Sequence, residues 1–352
     1  GLVDLMRVAP MMMPELVDEW FENELVRSAI SMAGINHLSF GPFAAGTGYN
    51  LLHQHVHGKG VFHNTQFVKG GTGELAQVLA SVAGSNNVEI RTGSKVKSID
   101  VENGRCNGIS LTGGESIQAD RIVSGLDPKN TFMNLVGTSN LNPNFHTQLN
   151  NIRYRGSTAR VHFALNKLPE INGILQDQMK TVFSVGPSIE YQERASDSVK
   201  YGTIAENPTI EFTIPSLINH EFAPGGKHVL SATVQYAPYH LRDQVWSSKL
   251  NEQLKNNVVR VLDNYIPDFS SLIETTSVLS PKDLENEFGL TEGNLNHGEM
   301  TLDQFFFMRP TMSTAQYKSP IENLYLCGPG THPGGGLHGT NGFNSAREIL
   351  KG

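Results

Sequence analysis

A mixed α/β fold is what this sequence predicts, on three observations. Apolar residues recur at helical intervals through the first forty residues and again from 245 to 265. A central stretch alternates apolar and polar residues with period two, and a short apolar strand near the C-terminus runs into a glycine-rich loop and then a helix. The 352 residues are 38% hydrophobic and 17% charged, enough for a sizeable core and unlike a disordered chain or a coiled coil. Against 34 acidic residues stand 27 Lys and Arg, a balance of −7 with no long basic run, which argues against nucleic acid as a partner.

Helix is expected first, with Leu16, Trp20, Leu25, Ile30 and Met32 on its apolar side and Pro14 at a helix start. Pro42, Gly46 and Gly48 break that pattern. His53, His55, His57 and His63 follow in a strand-like alternation; with no cysteine or carboxylate beside them they read as a polar face, not a metal site. Residues 69–73, Lys-Gly-Gly-Thr-Gly, turn into a helix over 74–80, and taken alone that turn reads as an ordinary helix start. Strands are expected at 88–90 and 95–101, with Glu102-Asn103-Gly104 as a hairpin turn and 109–111 and 116–118 completing an antiparallel meander. The apolar strand at 119–125 ends in small residues, like the carboxyl edge of an open α/β sheet.

Strands at 158–165, 209–214 and 227–236, punctuated by Pro and Gly, predict an antiparallel sheet with one covered face. A long helix then carries Val245, Leu250, Leu254, Val258, Leu262 and Tyr265 along one stripe and stops at Pro267, and 280–284 starts another helix. Cys106 and Cys327 lack disulfide or zinc spacing, which fits a reducing compartment. No stretch approaches the ~18 apolar residues of a spanning helix, and no basic-then-apolar leader opens the chain. A cytoplasmic location is expected, or a mitochondrial one for a eukaryotic parent.

The C-terminal region carries the clearest signal. Asn323-Leu324-Tyr325-Leu326-Cys327 is a compact strand. It leads into Gly328-Pro329-Gly330-Thr331-His332-Pro333-Gly334-Gly335-Gly336-Leu337-His338-Gly339 and a helix over 341–350, with Ala346, Ile349 and Leu350 expected to pack. Strand, glycine loop and helix together let a planar or phosphorylated ligand lie against bare main chain.

With its Gly-Pro-Gly-Thr-His-Pro-Gly-Gly-Gly core, the segment 324–350 resembles the C-terminal flavin motif of phytoene-desaturase-related FAD oxidoreductases, in the branch named for a pyridine nucleotide-disulfide oxidoreductase domain. Stretches 69–80, 88–128, 209–241 and 297–310 agree in order, so the resemblance covers nearly the whole chain. It implies an FAD/NAD(P)-binding Rossmann-like flavoprotein fold of the amine-oxidase type, with FAD as cofactor. The implied plan is a helical part of a substrate domain (1–68), an FAD-binding segment (69–137), the substrate domain proper (138–300) and a C-terminal FAD-binding segment (301–352). One departure stands out. The strand, Gly-x-Gly-x-x-Gly turn and helix with which the family opens are not found in the N-terminal part of the sequence, where Gly46-Thr47-Gly48 and Gly70-Gly71-Thr72-Gly73 lack the spacing. The expectation is therefore a chain truncated at its N-terminus, binding FAD weakly by itself.

The activity implied by the resemblance is hydride transfer from a substrate C–H to the flavin N5. The N–H groups of Gly335, Gly336 and Leu337 would then meet the N1 edge, helped by the following helix dipole. Gly328 and Gly330 would approach the ribityl and pyrophosphate, the backbone of Val96 would border the adenine, and Gly71 would lie on the substrate side. His332 and His338 are the acid–base candidates, although a role in bonding the loop to itself is preferred. Asp303 and Arg309 are expected to form an ion pair, Phe305, Phe306 and Phe307 to pack in the core, and Cys327 to be buried packing. The implied substrate is a small, lipophilic molecule. The sequence does not choose among oxygen, a quinone and a carrier protein as electron acceptor, and it leaves an oligomer open. Alternatives are a non-catalytic, chaperone-like protein on the same scaffold and a flavin amine oxidase.

Overall fold

The computed structural model describes residues 2–55 and 67–351, so His57 and His63 lie outside it. Chain contacts define two compact units, Gly1–Ile90 with Gly156–Leu284, and Arg91–Arg155 with Glu285–Gly352. These breaks fall elsewhere than the expected 68/69, 137/138 and 300/301.

The first unit opens with helices α1 (Leu2–Val8), α2 (Met13–Asp18), α3 (Glu24–Ile35), α4 (Thr47–His55) and α5 (Thr72–Ser85). Asn23 caps α3 through its side chain, and Met13, Leu16, Val17 and Ile30 pack as one apolar cluster. Trp20 and Leu25, expected on that face, are exposed because three short helices replace one continuous stripe. The alternation of His53 and His55 is overridden as well. Both lie on α4, whose first turns bury Tyr49 and Asn50, and the Asn50 amide donates to the carbonyls of Gly34 and Asn36 at 3.1 and 3.2 Å. Helix α5 has no buried residue. Residues 88–90 are not a strand: Asn86 and Asn87 end α5 and no strand among the described residues pairs with the segment.

The remaining elements of this unit are β5 (Thr158–Leu165), β6 (Phe183–Val185), α7 (Ile189–Tyr201), β7 (Thr209–Thr213), β8 (His228–Gln235), α8 (Ser248–Leu262), α9 (Phe269–Leu272), β9 (Ile273–Leu279) and α10 (Pro281–Phe288). The strands form one antiparallel sheet in the order β6-β7-β8-β5-β9. Alternation sends Val161, Phe163, Ile210, Phe212, Leu230 and Ala232 into the core, against Leu250, Leu254, Val258 and Leu262 of α8. Val245, the expected start of that stripe, precedes α8 and is exposed.

In the second unit β1 (Val96–Glu102), β2 (Arg105–Leu111) and β3 (Ser116–Gln118) form the expected antiparallel meander. Asn103 and Gly104 make its first turn at φ 51° and 78°. Strand β4 (Ile122–Ser124) pairs in parallel with β10 (Leu324–Leu326), more than two hundred positions later, in the register Ile122↔Leu324. A π-helical turn at Asn130–Gly137 and α6 (Pro143–Asn150) bring Phe132 and Phe145 edge to face at 5.0 Å, in a core shared with Leu324 and Leu326. The last helix is α11 (Thr340–Ile349). It buries Asn341 and Ser345 and exposes Leu350, the opposite of the face expected from Ala346, Ile349 and Leu350.

Candidate functional site

The site grows from the parallel pair in the second unit. Both strands end in glycine: β4 runs into Gly125 and β10, through Cys327, into Gly328. The Cys327 N–H continues the ladder by donating to the Ser124 carbonyl at 2.9 Å. A Cβ on Gly328 would lie 2.4 Å from the Gly125 carbonyl oxygen, so only glycine permits this approach. The same holds along the loop. An added Cβ would meet Pro128 at 2.7 Å from Gly330, Met300 at 2.7 Å from Gly334 and the Asn296 Oδ1 at 1.9 Å from Gly335. Sequence reasoning assigned these glycines to ligand clearance; their Cβ directions are instead filled by the protein itself.

Beyond Gly335 the loop opens. Gly336 and Leu337 are exposed, and among the described residues no hydrogen bond takes the N–H of either. Both stand just before the N-terminal turn of α11, where the helix dipole is positive. Asn341 fixes that turn to the loop by donating to the Thr331 and His332 carbonyls at 3.0 and 3.3 Å. The loop thus offers a bare, positively polarised main-chain edge. That edge, with the buried orphan nitrogens described below, fits an anionic or electron-rich ring margin such as a flavin's.

Arg309 holds the loop from beneath. It is 2% exposed and donates to five main-chain carbonyls: Asn296, Gly298, Glu299, Gln304 and Pro329. The expected Asp303–Arg309 pair is not formed. Asp303 pairs with Arg153 at 2.6 Å, a contact that holds its carboxyl below the usual range, whereas Arg309 is sealed among carbonyls. Buried Glu299 is bridged by Arg153 and Arg155.

Sequence reasoning missed Asp127, just past the β4 end. It is 1% exposed and accepts from the Asn130 N–H at 2.9 Å, the Asn130 amide at 2.6 Å and the Thr291 hydroxyl at 2.8 Å. Asp-Pro immediately after a strand ending in small residues was the available signal. His297 was also missed as an individual. Its ring Nδ1 would lie 3.3 Å from a Cβ on Gly328 and has no hydrogen-bond partner. Burial lowers its pKa, with Arg309 acting in the same direction and Asp127 opposing.

The acid–base candidates sit in the loop. His332 is half-buried, its Nδ1 has no hydrogen-bond partner, and burial followed by Arg309 lowers its pKa. Its ring lies 5.5 Å from that of Phe306. His338 is bonded within the loop: its Nδ1 accepts from the Thr340 N–H at 3.1 Å, and its Nε2 lies 3.3 Å from the Gly335 carbonyl oxygen. The three phenylalanines do not share one environment. Phe305 is buried, Phe306 is half-buried and Phe307 is exposed, because the segment is a tight 3₁₀ turn. Cys106 is buried, Cys327 is only half-buried, and burial raises both thiol pKa values. Val96 is the first residue of the edge strand β1. Gly71 belongs to the first unit, where it caps α5 at φ 94° and an added Cβ would lie 2.5 Å from Phe222.

Residues 27–350 match the family described as flavin containing amine oxidoreductase. The chain is 31% identical over 349 residues to the pyridine nucleotide-disulfide oxidoreductase domain-containing protein 2 of Rattus norvegicus, covering 96% of this chain and 60% of the rat protein. It is 27% identical over 308 residues to a lycopene-forming phytoene desaturase of a Paracoccus species, covering 87% and 58%. The chain thus spans about 60% of the length of these curated relatives. An oxidoreductase from Methanosarcina mazei superposes with a TM-score of 0.62 at 15% identity, over 100% of this chain and 71% of that one. Wild-type putrescine oxidase bound to putrescine gives 0.56 at 12% identity, over 98% and 68%. Sequence and fold agree on one placement: this chain belongs to the flavin containing amine oxidoreductases.

Proposed function

We propose that the protein to which this chain belongs is an FAD-dependent oxidoreductase of the dehydrogenase type. The observation that carries the reading is the exposed pair of N–H groups on Gly336 and Leu337, set at the positive end of α11. Bound FAD would supply a two-electron acceptor, taking a hydride at N5 from a substrate C–H.

The two N–H groups would stabilise negative charge at the N1 edge, on a loop that Arg309 and Asn341 fasten at Pro329 and Thr331. Gly328 and Gly330 would keep the strand ends low enough for the ribityl and pyrophosphate to pass. Val96, on the free edge of β1, would offer main chain to the adenine, and Gly71 would border the substrate. His332, whose pKa is lowered by burial and then by Arg309, would hold or pass a proton at its unpartnered Nδ1. The reading makes the second unit the flavin-binding part and the first unit the substrate-binding part. No described helix is long and apolar enough to cross a membrane. The two free cysteines support a reducing setting such as the cytoplasm.

The test is a proline at residue 337, which deletes one N–H. Flavin affinity, read by fluorescence quenching, is expected to fall by roughly tenfold or more in Leu337→Pro and to stay unchanged in Leu337→Ala. Equal affinities in both variants would sink the reading.

A further inference from the structure

The first unit's sheet has a second face, and it is polar. In the register of its strands, Ser184, Glu211, Thr233 and Arg160 lie side by side in one row across β6, β7, β8 and β5. The next row is Thr213, Ser231, His162 and Ser277. An antiparallel sheet commonly turns such a face to water, yet Glu211, Thr233, Arg160, Ser231 and His162 are all only partly exposed. The Arg160 guanidinium donates to two neutral hydroxyls, those of Thr233 and, at 3.4 Å, Ser231. Among the described residues no carboxylate reaches it within the 4.0 Å of a salt bridge. Glu211, two strands away, attracts Arg160 only from beyond salt-bridge distance, and burial raises its pKa. His162 has its pKa lowered, first by burial and then by Arg160.

A half-buried guanidinium bonded to hydroxyls alone is incompletely compensated, and its planar fork matches a carboxylate or phosphate. The Ser and Thr side chains of the second row add hydroxyl donors beside it. From this juxtaposition we infer that the polar sheet face around Arg160 and His162 receives an oxyanion-bearing substrate rather than a bare hydrocarbon. The inference rests on reading the first unit as the substrate-binding part.

The test titrates the chain, without flavin, with hexanoate, hexyl phosphate, hexanamide and hexanol by calorimetry. In parallel, the Arg160 Nε–Hε signal is followed in labelled protein. At least one oxyanion is expected to bind about tenfold or more tightly than hexanamide and to shift that signal. The tighter of the two identifies the headgroup. Arg160→Gln should erase the oxyanion preference, whereas Arg194→Gln on α7 should leave it intact. Should Arg160→Gln fail to fold, the wild-type signal and Arg160→Lys, which keeps the charge and should keep the preference, decide. Equal affinity for hexanoate, hexyl phosphate and hexanamide would overturn the inference. So would an unmoved Arg160 signal at saturation, survival of the preference in Arg160→Gln, or no oxyanion binding at tens of millimolar. Because flavin is absent, oxyanion binding by a chain that fails the residue-337 test would sink only the flavin reading. Flavin binding without an oxyanion preference would sink only this inference.

Discussion

The Nε–H of Arg309 donates to the carbonyl of Pro329 at 3.1 Å, tying a buried cation to the glycine loop through main chain alone. The other guanidinium nitrogens fasten the segment 296–304, so one side chain sets the spacing of two backbone stretches. This is a use of arginine that lysine cannot copy, because a single ammonium cannot reach carbonyls in several directions at once.

Arg309→Met is therefore expected to destabilise the protein by roughly 3–5 kcal/mol, removing a donor from five carbonyls, of which that of Glu299 keeps the Gln304 amide. Arg309→Lys should fall between that variant and wild type. The urea midpoint at constant slope is the readout, and an unchanged midpoint in Arg309→Met would contradict the bonding described.

Gly335→Ala drives a methyl to 1.9 Å from the Asn296 Oδ1, an overpacking that should cost about 1–3 kcal/mol. In an Asn296→Ala background the cost should shrink by about 1 kcal/mol or more, which a double-mutant cycle measures. Gly328→Ala has no such rescue, since the obstacle is the Gly125 carbonyl oxygen at 2.4 Å.

Gly342 offers the opposite case. It lies inside α11, an added Cβ would meet nothing within 4 Å, and its backbone is not left-handed. Gly342→Ala should stabilise the protein by about 0.5–1 kcal/mol through helix propensity, seen as a higher melting temperature. A lower one would show that the space beside residue 342 is used.

Acid sensitivity is expected from His37, whose Nδ1 is sealed from solvent without a partner and whose pKa is lowered to about 4, by burial and then by Arg160. Between its ordinary value of 6.5 and that figure the unfolded chain binds the proton and the folded one does not. Stability should thus be full above about pH 6.5, fall as pH drops to about 4, and lose at most roughly 3 kcal/mol from this residue. The residue as a whole is only partly buried, so the loss should fall short of that bound. His37→Gln should flatten the slope of unfolding free energy between pH 4.5 and 6.5. An identical slope in the variant would remove His37 as the cause.

Much of the fold was legible where local chemistry decides. Asn103 and Gly104 both need positive φ, and they adopt 51° and 78° at the turn they announce. Strand β5 has the bounds its alternation predicts, 158–165, because one of its faces is core. Elsewhere the deciding partners were distant and left no trace in spacing. Arg309 was misread because carbonyls have no sequence signature, so Asp303 looked like the natural mate. The loop glycines announced close approach correctly but not to what: Gly328 faces Gly125, and Gly335 faces Asn296. The packing face of α11 was misplaced because Asn341 and Ser345, both polar, are the residues that turn inward.

The pairing of β4 with β10 has a consequence for synthesis. The partner of Ile122 is Leu324, so the first strand leaves the ribosome about 10–40 s before the second at ordinary elongation rates. During that interval residues 156–284 can collapse around their own antiparallel sheet, while Ile122 and Val123 wait with their main-chain groups unclaimed. The last thirty residues then act as a latch. A nascent chain arrested before residue 324 should display a protease-resistant first unit and a second unit that is still digestible.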